Sequence, residues 1–248
     1  MLDISKYLNV YNFDYTLPGQ GKQIKLRPYN AADLKNMLMF SDEQVEDALD
    51  GLLDACIIKT GKNDINVDDL WLPDRFYLLV MLRRITKGTT YAFTYTCPEC
   101  KSERIVTIDL KKMKVKPLPK NFSFEVELDD NIKVTLHPLT RKVVKVAAEM
   151  MADKDEKPIA KAMDEIMATY ALCVEKITTP DGDYAPPPEE ALDFVSKVPD
   201  FMYTKIQDWF GSADYGIEMK SKVKCDFPQC KVFDIEKEEV VPLDNFLS

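Results

Sequence analysis

Four of the six cysteines occur as two close pairs, and no other feature constrains the fold of this chain as strongly. Two residues separate Cys97 from Cys100, and four separate Cys225 from Cys230. Strand-forming runs flank both pairs, so each pair is expected at the tight turn of a hairpin. Two such turns that face each other present four thiolates, the ligand set of a closed structural zinc site. The sequence therefore predicts one Zn2+ held by Cys97, Cys100, Cys225 and Cys230.

Other uses of these thiols remain open from the sequence. Iron also accepts four thiolates. A redox Cys-x-x-Cys motif usually has its first cysteine at the start of a helix, whereas Cys97 follows the strand-like run YAFTYT. Free thiols without a metal are the remaining alternative. Disulfides are not expected, because no signal-peptide pattern opens the sequence and the chain is expected to be made in a reducing cytoplasm.

The chain reads as two copies of one pattern. The run NFDYTLPGQGKQIKLRPYNAADL from Asn12 corresponds to NFSFEVELDDNIKVTLHPLTRKV from Asn121. Further along, LPDRFYLLVML corresponds to VPDFMYTKIQDW, and the two cysteine pairs follow in the same order. This ordered series predicts an α+β fold of tandem duplicated units, each made of a β-hairpin, helices and a Cys-knuckle hairpin, joined by a zinc-ribbon-like element.

These copies set the expected domain boundaries. Residues 1–11 are an N-terminal arm, residues 12–120 form the first repeat unit with the Cys97/Cys100 knuckle, and residues 121–248 form the second with the Cys225/Cys230 knuckle. The apolar arm, and the C-terminal run VVPLDNFLS, are expected to dock on neighbouring proteins. Deleting residues 1–11 is expected to weaken assembly and leave the chain folded.

Local patterns predict several element boundaries. Ser41 to Gln44 reads as a capping box ahead of an apolar stripe that ends at Cys56. Pro73 and Pro199 suit first helical positions, and Gly88 and Gly211 suit helix ends. One face of a predicted strand carries the apolar residues Phe122, Phe124, Val126 and Leu128. The remaining cysteines, Cys56 and Cys173, are expected to be buried and to have no ligand role.

Catalysis, membrane spanning and small-molecule turnover are not expected. The single histidine, His137, ends a predicted strand without a recognisable nucleophile partner, and the eight glycines form no phosphate-binding cluster. The longest apolar run, FYLLVML, is far too short to cross a bilayer. A net charge of −9 disfavours nucleic acid as a partner. The basic run from Lys111 to Lys120 is expected to be a solvated strand edge or a protein contact.

Several runs in the first half resemble a known phage protein family. They are IKLRPYNAADLKNMLMF, EDALDGLLDACII and INVDDLWLPDRFYLLVMLRRITKGTTYAFTYTCPEC. In this order they are similar to the baseplate hub and hub assembly proteins of T-even-type contractile-tailed bacteriophages. The resemblance covers about residues 20 to 110, and the second half joins through the internal repeat. It implies a structural or assembly subunit of the virion tail baseplate that contacts other baseplate and tail subunits.

A nucleic-acid-binding zinc ribbon is the alternative function. Such a ribbon carries cations around its knuckles, and six are present here: Lys101, Arg104, Lys220, Lys222, Lys224 and Lys231. Because the whole chain is acidic, this alternative ranks below the baseplate role.

Overall fold

The structure is a computed structural model that describes residues 11–41, 44–59, 61, 64–152, 158–242 and 246. The chain forms two compact units. Unit 1 comprises Met1–Asp64, Phe76–Pro117 and Gly216–Ser248, and unit 2 comprises Ile65–Arg75 and Leu118–Tyr215. These units are not the sequence ranges 12–120 and 121–248, because the chain returns to unit 1 after unit 2. Of the predicted arm, only Tyr11 lies within the described residues, where it is exposed.

The described residues form helices and antiparallel strands, in agreement with the predicted mixture of α and β structure. The helices are α1 Ala31–Met37, α2 Val45–Cys56, α3 Leu72–Lys87, α4 Arg141–Met150, α5 Pro158–Leu172, α6 Pro188–Lys197 and α7 Asp200–Ser212. Short 3-10 turns span Val67–Asp69 and Leu110–Lys112. The strands are β1 Phe13–Thr16, β2 Gln23–Leu26, β3 Thr90–Thr96, β4 Glu103–Asp109, β5 Lys114–Lys116, β6 Glu125–Glu127, β7 Lys133–Leu136, β8 Val174–Thr179, β9 Gly182–Tyr184, β10 Gly216–Glu218, β11 Lys220–Lys224 and β12 Glu236–Val240.

Unit 1 is built from two-stranded antiparallel pairs and helical packing. Strands β1 and β2, β3 and β4, and β11 and β12 form hairpins, and β5 pairs with β10. In β3 the side chains of Tyr91, Phe93 and Tyr95 are buried while the residues between them are exposed, as the period of a strand requires. Helix α2 buries Leu52, Leu53 and Cys56, which confirms the C-terminal part of its predicted apolar stripe. Val45, where that stripe was expected to begin, is 49% exposed.

Unit 2 has a four-stranded sheet in the order β6-β7-β8-β9, with helices packed on its core. Strand and helix residues share that core: Leu128, Val134, Leu136, Val174, Ile177, Met202, Ile206 and Trp209. Phe122, Phe124 and Val126 pack against it, and Leu128 belongs to it. The predicted apolar face from Phe122 to Leu128 is therefore confirmed, although the regular strand covers only β6.

The regular part of helix α2 begins later than predicted. Its N-cap is Gln44, and the Gln44 side chain accepts from the Ser41 backbone N–H at 3.4 Å, which is one half of the predicted capping box. A complete capping box instead begins α1: Asn30 accepts from the backbone N–H of Asp33, and the Asp33 carboxylate accepts from the backbone N–H of Asn30. The sequence Asn30-x-x-Asp33 has the polar spacing of this motif, so it could have been recognised.

Other boundaries differ from prediction by small shifts. Gly88 follows α3 with a φ of 88°, as a helix-ending glycine should. Gly211 lies inside α7 and does not end it. Pro73 is the second residue of α3, and Pro199 is the N-cap of α7, so each misses the predicted first position by one residue.

Candidate metal centre

The first cysteine pair lies in the turn that joins β3 to β4. The Cys97 backbone N–H donates to the Ser102 carbonyl, and the Lys101 N–H donates to the Cys97 carbonyl, both at 2.9 Å. Lys101 adopts a left-handed conformation with a φ of 60°. This residue reverses the chain at the end of the turn, so that Cys97 and Cys100 present their sulfurs on one side of the hairpin.

The second pair lies in a longer turn between β11 and β12. Cys230 donates its backbone N–H to the Phe227 carbonyl, and Asp234 donates to the Cys225 carbonyl, both at 2.9 Å. Asp234 is left-handed, with a φ of 57°. The strand expected directly after Cys230 begins only at Glu236, because these turns occupy the preceding residues.

The structure brings all four predicted ligands together within unit 1. The sulfurs of Cys97, Cys100, Cys225 and Cys230 lie within 4.8 Å of one another. Cys100 Sγ is 3.6 Å from Cys225 Sγ, and Cys97 Sγ is 3.9 Å from Cys230 Sγ. Four sulfurs at the usual Zn–S length of about 2.3 Å form a tetrahedron with edges of about 3.8 Å. The spacing therefore suits a tetrahedral metal and is too long for disulfides, whose S–S length is about 2.05 Å.

Two polar residues of the cysteine hairpins, of which Ser102 lies beside the sulfurs, were not predicted from the sequence. Ser102 Oγ lies 3.0 Å from Cys100 Sγ and 3.7 Å from Cys225 Sγ, so its hydroxyl can donate to a thiolate from either pair. Arg104 Nη1 donates to the Lys224 carbonyl at 2.7 Å and thereby links the β3–β4 hairpin to β11. Arg104 was considered only as a nucleic-acid contact, and nothing in the local sequence indicates these distant partners.

Two of the four thiols, those of Cys100 and Cys230, have shifted pKa values. The Ser102 side chain and backbone donate hydrogen bonds that lower the pKa of Cys100 to about 6. The Val232 backbone N–H lowers the pKa of Cys230, but burial and the three neighbouring thiols outweigh it and raise that pKa to about 12. Four thiolates at this spacing repel one another strongly, so a bound cation favours their joint ionisation.

The remaining cysteines lie outside this cluster, as predicted. Cys56 and Cys173 are fully buried. Burial raises the pKa of Cys56 to about 12 and also raises the pKa of Cys173. Their thiols therefore stay protonated at neutral pH, as expected for small apolar core residues.

Most lysines of the second hairpin are paired with carboxylates. Lys222 Nζ lies 2.9 Å from Glu236, Lys220 lies 3.3 Å from Glu218, and Lys224 contacts Asp234. In the β11–β12 ladder Lys222 lies opposite Glu238 and Lys224 lies opposite Glu236, so opposite charges face each other across the strands. The hairpin therefore presents mixed charge in place of the continuous basic surface that phosphates attract.

His137 follows β7, where the sequence places it. Its Nδ1 donates to the Pro138 carbonyl at 2.9 Å, and its ring lines a cavity of about 330 Å3 in unit 2 with Asp69 and Thr140. This bond fixes the ring against the backbone and agrees with the expectation of a polar residue at a strand end.

The comparison with protein families decides the identity of the chain. The family model described as T4 bacteriophage base plate protein matches residues 9–244, which is nearly the whole chain. The chain belongs to this family. The match confirms the resemblance seen in the first half and extends it over the second cysteine pair. No curated protein and no solved structure matches the chain.

Membership of the T4 base plate family indicates a structural subunit of the phage tail, located in the baseplate of the virion. The family is a structural one, which is consistent with the expected lack of catalysis. Within the described residues, no helix combines the length and the apolar character needed to cross a membrane.

Proposed function

We propose that this chain is a structural or assembly subunit of a contractile phage tail baseplate that binds other baseplate and tail proteins and catalyses no reaction. The family match over residues 9–244 carries this proposal. Synthesis in the host cytoplasm followed by incorporation into the virion accounts for a baseplate protein with unpaired cysteines.

The proposal is tested on tails purified from infected cells. Quantitative mass spectrometry of tails washed in high salt should find the chain in a fixed ratio to other baseplate proteins. A phage whose gene for this chain is inactivated should produce incomplete baseplates, and supplying the wild-type chain should restore complete ones. A chain that is absent from tails and from assembly intermediates, and that infection does not need, contradicts the proposal.

The four-cysteine cluster is proposed to be a structural zinc site that gives the baseplate subunit a rigid unit 1. The sulfur spacing supports this, because it matches the edge of a zinc–thiolate tetrahedron. Four protein ligands leave no open position for water, so the metal is proposed to stabilise the fold and not to take part in hydrolysis. Its ligands come from Phe76–Pro117 and Gly216–Ser248, so a bound ion would tie together two segments of unit 1.

Elemental analysis tests the site and distinguishes zinc from iron. The purified chain should contain one zinc, and Cys97→Ser and Cys225→Ser should each lose it. Cys173→Ser is the matched control, because this buried thiol lies outside the cluster and should leave the zinc content unchanged. Two zincs per chain, none, or iron in place of zinc would each contradict the assignment.

Duplication of a single unit is proposed as the origin of the fold. Arg27 and His137, which correspond at an offset of 110 residues, donate their backbone N–H groups to the carbonyls of Cys56 and Cys173 at 2.9 and 3.0 Å. Each side chain also donates to the carbonyl of the proline that follows it. Three residues after each of them, Asn30 and Thr140 cap the next helix. These matched contacts, in the same order along the chain, support two copies of one ancestral unit.

A nucleic-acid-binding zinc ribbon is the second candidate function. The pairing of lysines with carboxylates along β11–β12 argues against it, because it leaves less positive charge for binding phosphates. Phosphate binding releases counterions, so such binding must weaken steeply with salt. Fluorescence anisotropy with duplex DNA at low and physiological salt provides the test. Binding that is strong at low salt and is lost in Lys222→Ala would favour this candidate.

A further inference from the structure

Helix α5 exposes an apolar face. Ile159, Met163 and Ile166 follow the i, i+4, i+7 spacing of one helix face and are 80%, 61% and 46% exposed. We call these three residues the α5 stripe. Ala162 is exposed beside them, and helical geometry places the charged residues of this half of the helix elsewhere. A surface helix ordinarily turns such a face toward a core, so its exposure marks an interaction surface.

The same face is covered at its C-terminal end. Tyr170, one turn beyond Ile166, stacks on Phe210 of α7 with ring centroids 4.6 Å apart, and Tyr203 lies 6.2 Å away. Helix α7 thus covers the end of the face with aromatic side chains and leaves the α5 stripe open. A second helix with apolar side chains at the same spacing would continue this packing along α5.

Charge indicates what kind of helix fits. Unit 2 contains 22 Asp and Glu residues against 12 Lys and Arg residues, whereas unit 1 contains 20 against 21. The net negative charge of the chain therefore resides in unit 2, which carries the α5 stripe. Pairing two copies through this stripe would bring two strongly acidic units together, and the like charges would oppose it. A partner with basic residues beside its apolar face is attracted instead.

We propose that the α5 stripe docks a basic amphipathic helix of another protein, with apolar side chains at i, i+4 and i+7 and Lys or Arg on their flanks. This inference rests on the proposed function, because a subunit of an assembly needs partners, and it names the surface and the chemistry of one of them.

Peptide binding to the full-length chain tests the chemistry. The probe is a synthetic amphipathic helical peptide with Leu at i, i+4 and i+7 and Lys on the polar face, and its counterpart carries Glu in place of every Lys. Fluorescence anisotropy should give a Kd at least ~10-fold lower for the Lys peptide, a difference of about 1.4 kcal/mol. Equal affinities, or no binding of the Lys peptide, would overturn the proposal.

Substitutions locate the binding. Ile159→Ser and Met163→Ser should each raise the Kd of the Lys peptide several-fold, and both together at least ~10-fold. Leu38→Ser is the matched control, because Leu38 is a 72% exposed apolar residue of unit 1. The Leu38→Ser variant should bind the Lys peptide with the same Kd as the wild type. Loss of binding in the control but not in the stripe variants would overturn the assignment.

Two further measurements exclude other occupants. Sedimentation equilibrium should find a monomer, and a dimer that Met163→Glu dissociates would show that a second copy occupies the stripe. In the phage, Met163→Glu should reduce incorporation into tails while Leu38→Glu incorporates normally. If the wild type enters tails and Met163→Glu enters equally well, this inference fails and the proposed function stands. If the wild type is absent from tails and from assembly intermediates and infection does not need it, the proposed function itself fails.

Discussion

The hydroxyl oxygen of Ser102 lies 3.0 Å from the sulfur of Cys100, inside the turn that carries the first cysteine pair. It is also 3.7 Å from the sulfur of Cys225, so one side chain touches a ligand of each pair. A hydroxyl in this position stabilises thiolates and would orient them toward the proposed ion, as residues behind metal ligands commonly do.

Ser102→Ala should therefore weaken zinc binding without removing a ligand. Loss of such a supporting hydrogen bond typically lowers metal affinity by about 10–100-fold. Competition with a chromophoric chelator measures the affinity. Ser123→Ala, which alters a serine of unit 2, is the control and should leave the zinc affinity unchanged. An affinity of Ser102→Ala equal to that of the wild type would show that the hydroxyl does not support the site.

Metal removal should destabilise unit 1. Cys100 and Cys225 are 125 residues apart, and cross-linking a loop of this length is worth about 5 kcal/mol of chain entropy. A loss of this size lowers Tm by at least about 10 °C in a protein of this length. Calorimetry with and without chelator measures the shift, and hydrogen exchange should show the largest loss of protection in β3, β4, β11 and β12.

The Cys97→Ser variant is the control for chelation. Its Tm should already be low and should not fall further when chelator is added. An unchanged Tm of the wild type after its zinc has been removed would mean that the ion does not hold the two segments of unit 1 together.

The cysteine cluster could be predicted from the sequence because its signals are local. Two close pairs, each between strand-like runs, fix the turn and the direction of the sulfurs. Ser102 could not be assigned in this way, since its contact with Cys225 depends on how two distant hairpins meet. The late start of β12 was missed because the turns after Cys230 use Asp234 in a left-handed conformation, which the sequence does not require.

The helix boundaries could also be predicted only in part from the sequence. The apolar spacing of α2 identified the helix correctly. Polar residues at both Ser41 and Asn30 fit a capping box, and among the described residues both of its bonds form at Asn30 but only one at Ser41. Capping motifs compete with turns for the same side chains, so sequence alone does not decide between them.

The ion pair between Arg27 and Asp33 should make a pH-dependent contribution to stability. Arg27 donates to both carboxylate oxygens of Asp33 at 2.6 and 3.0 Å, and this bond lowers the pKa of Asp33. A carboxyl with a depressed folded pKa stabilises the fold above its unfolded pKa of about 3.9 and loses this contribution as the pH falls through the folded value. Asp33→Asn should cost about 1 kcal/mol at pH 7 through the weakened cap.

Urea unfolding at pH 7 and at successive values below pH 4 tests this. The difference in free energy of unfolding between the wild type and Asp33→Asn should shrink as the pH falls. Asp54→Asn is the control, because the Asp54–Lys59 pair is about half exposed on both sides and should contribute little at any pH. A difference that stays constant with pH would show that the charge of Asp33 does not matter.

Phe246 is buried within its own chain, and this corrects the expectation that the whole C-terminal run docks on a neighbour. Phe246 is 7% exposed and packs on Tyr91 with ring centroids 4.9 Å apart, and the Arg83 guanidinium lies 5.6 Å from its ring. The Tyr91 hydroxyl donates to the Pro242 carbonyl at 2.8 Å, across 151 residues of sequence. Such a contact depends on tertiary packing and has no local sequence signal.

Phe246→Ala should release the C-terminal segment and destabilise unit 1. Truncating a buried Phe costs about 3 kcal/mol, and the Arg83 contact with the ring would be lost as well. Urea unfolding measures the free energy, and limited proteolysis should cut the segment after Val241 faster than in the wild type. Phe201→Ala is the control, because Phe201 is 56% exposed on α7 and should change stability by less than about 0.5 kcal/mol. If Phe246→Ala matches this control in stability yet fails to enter tails, the segment serves a neighbouring subunit after all.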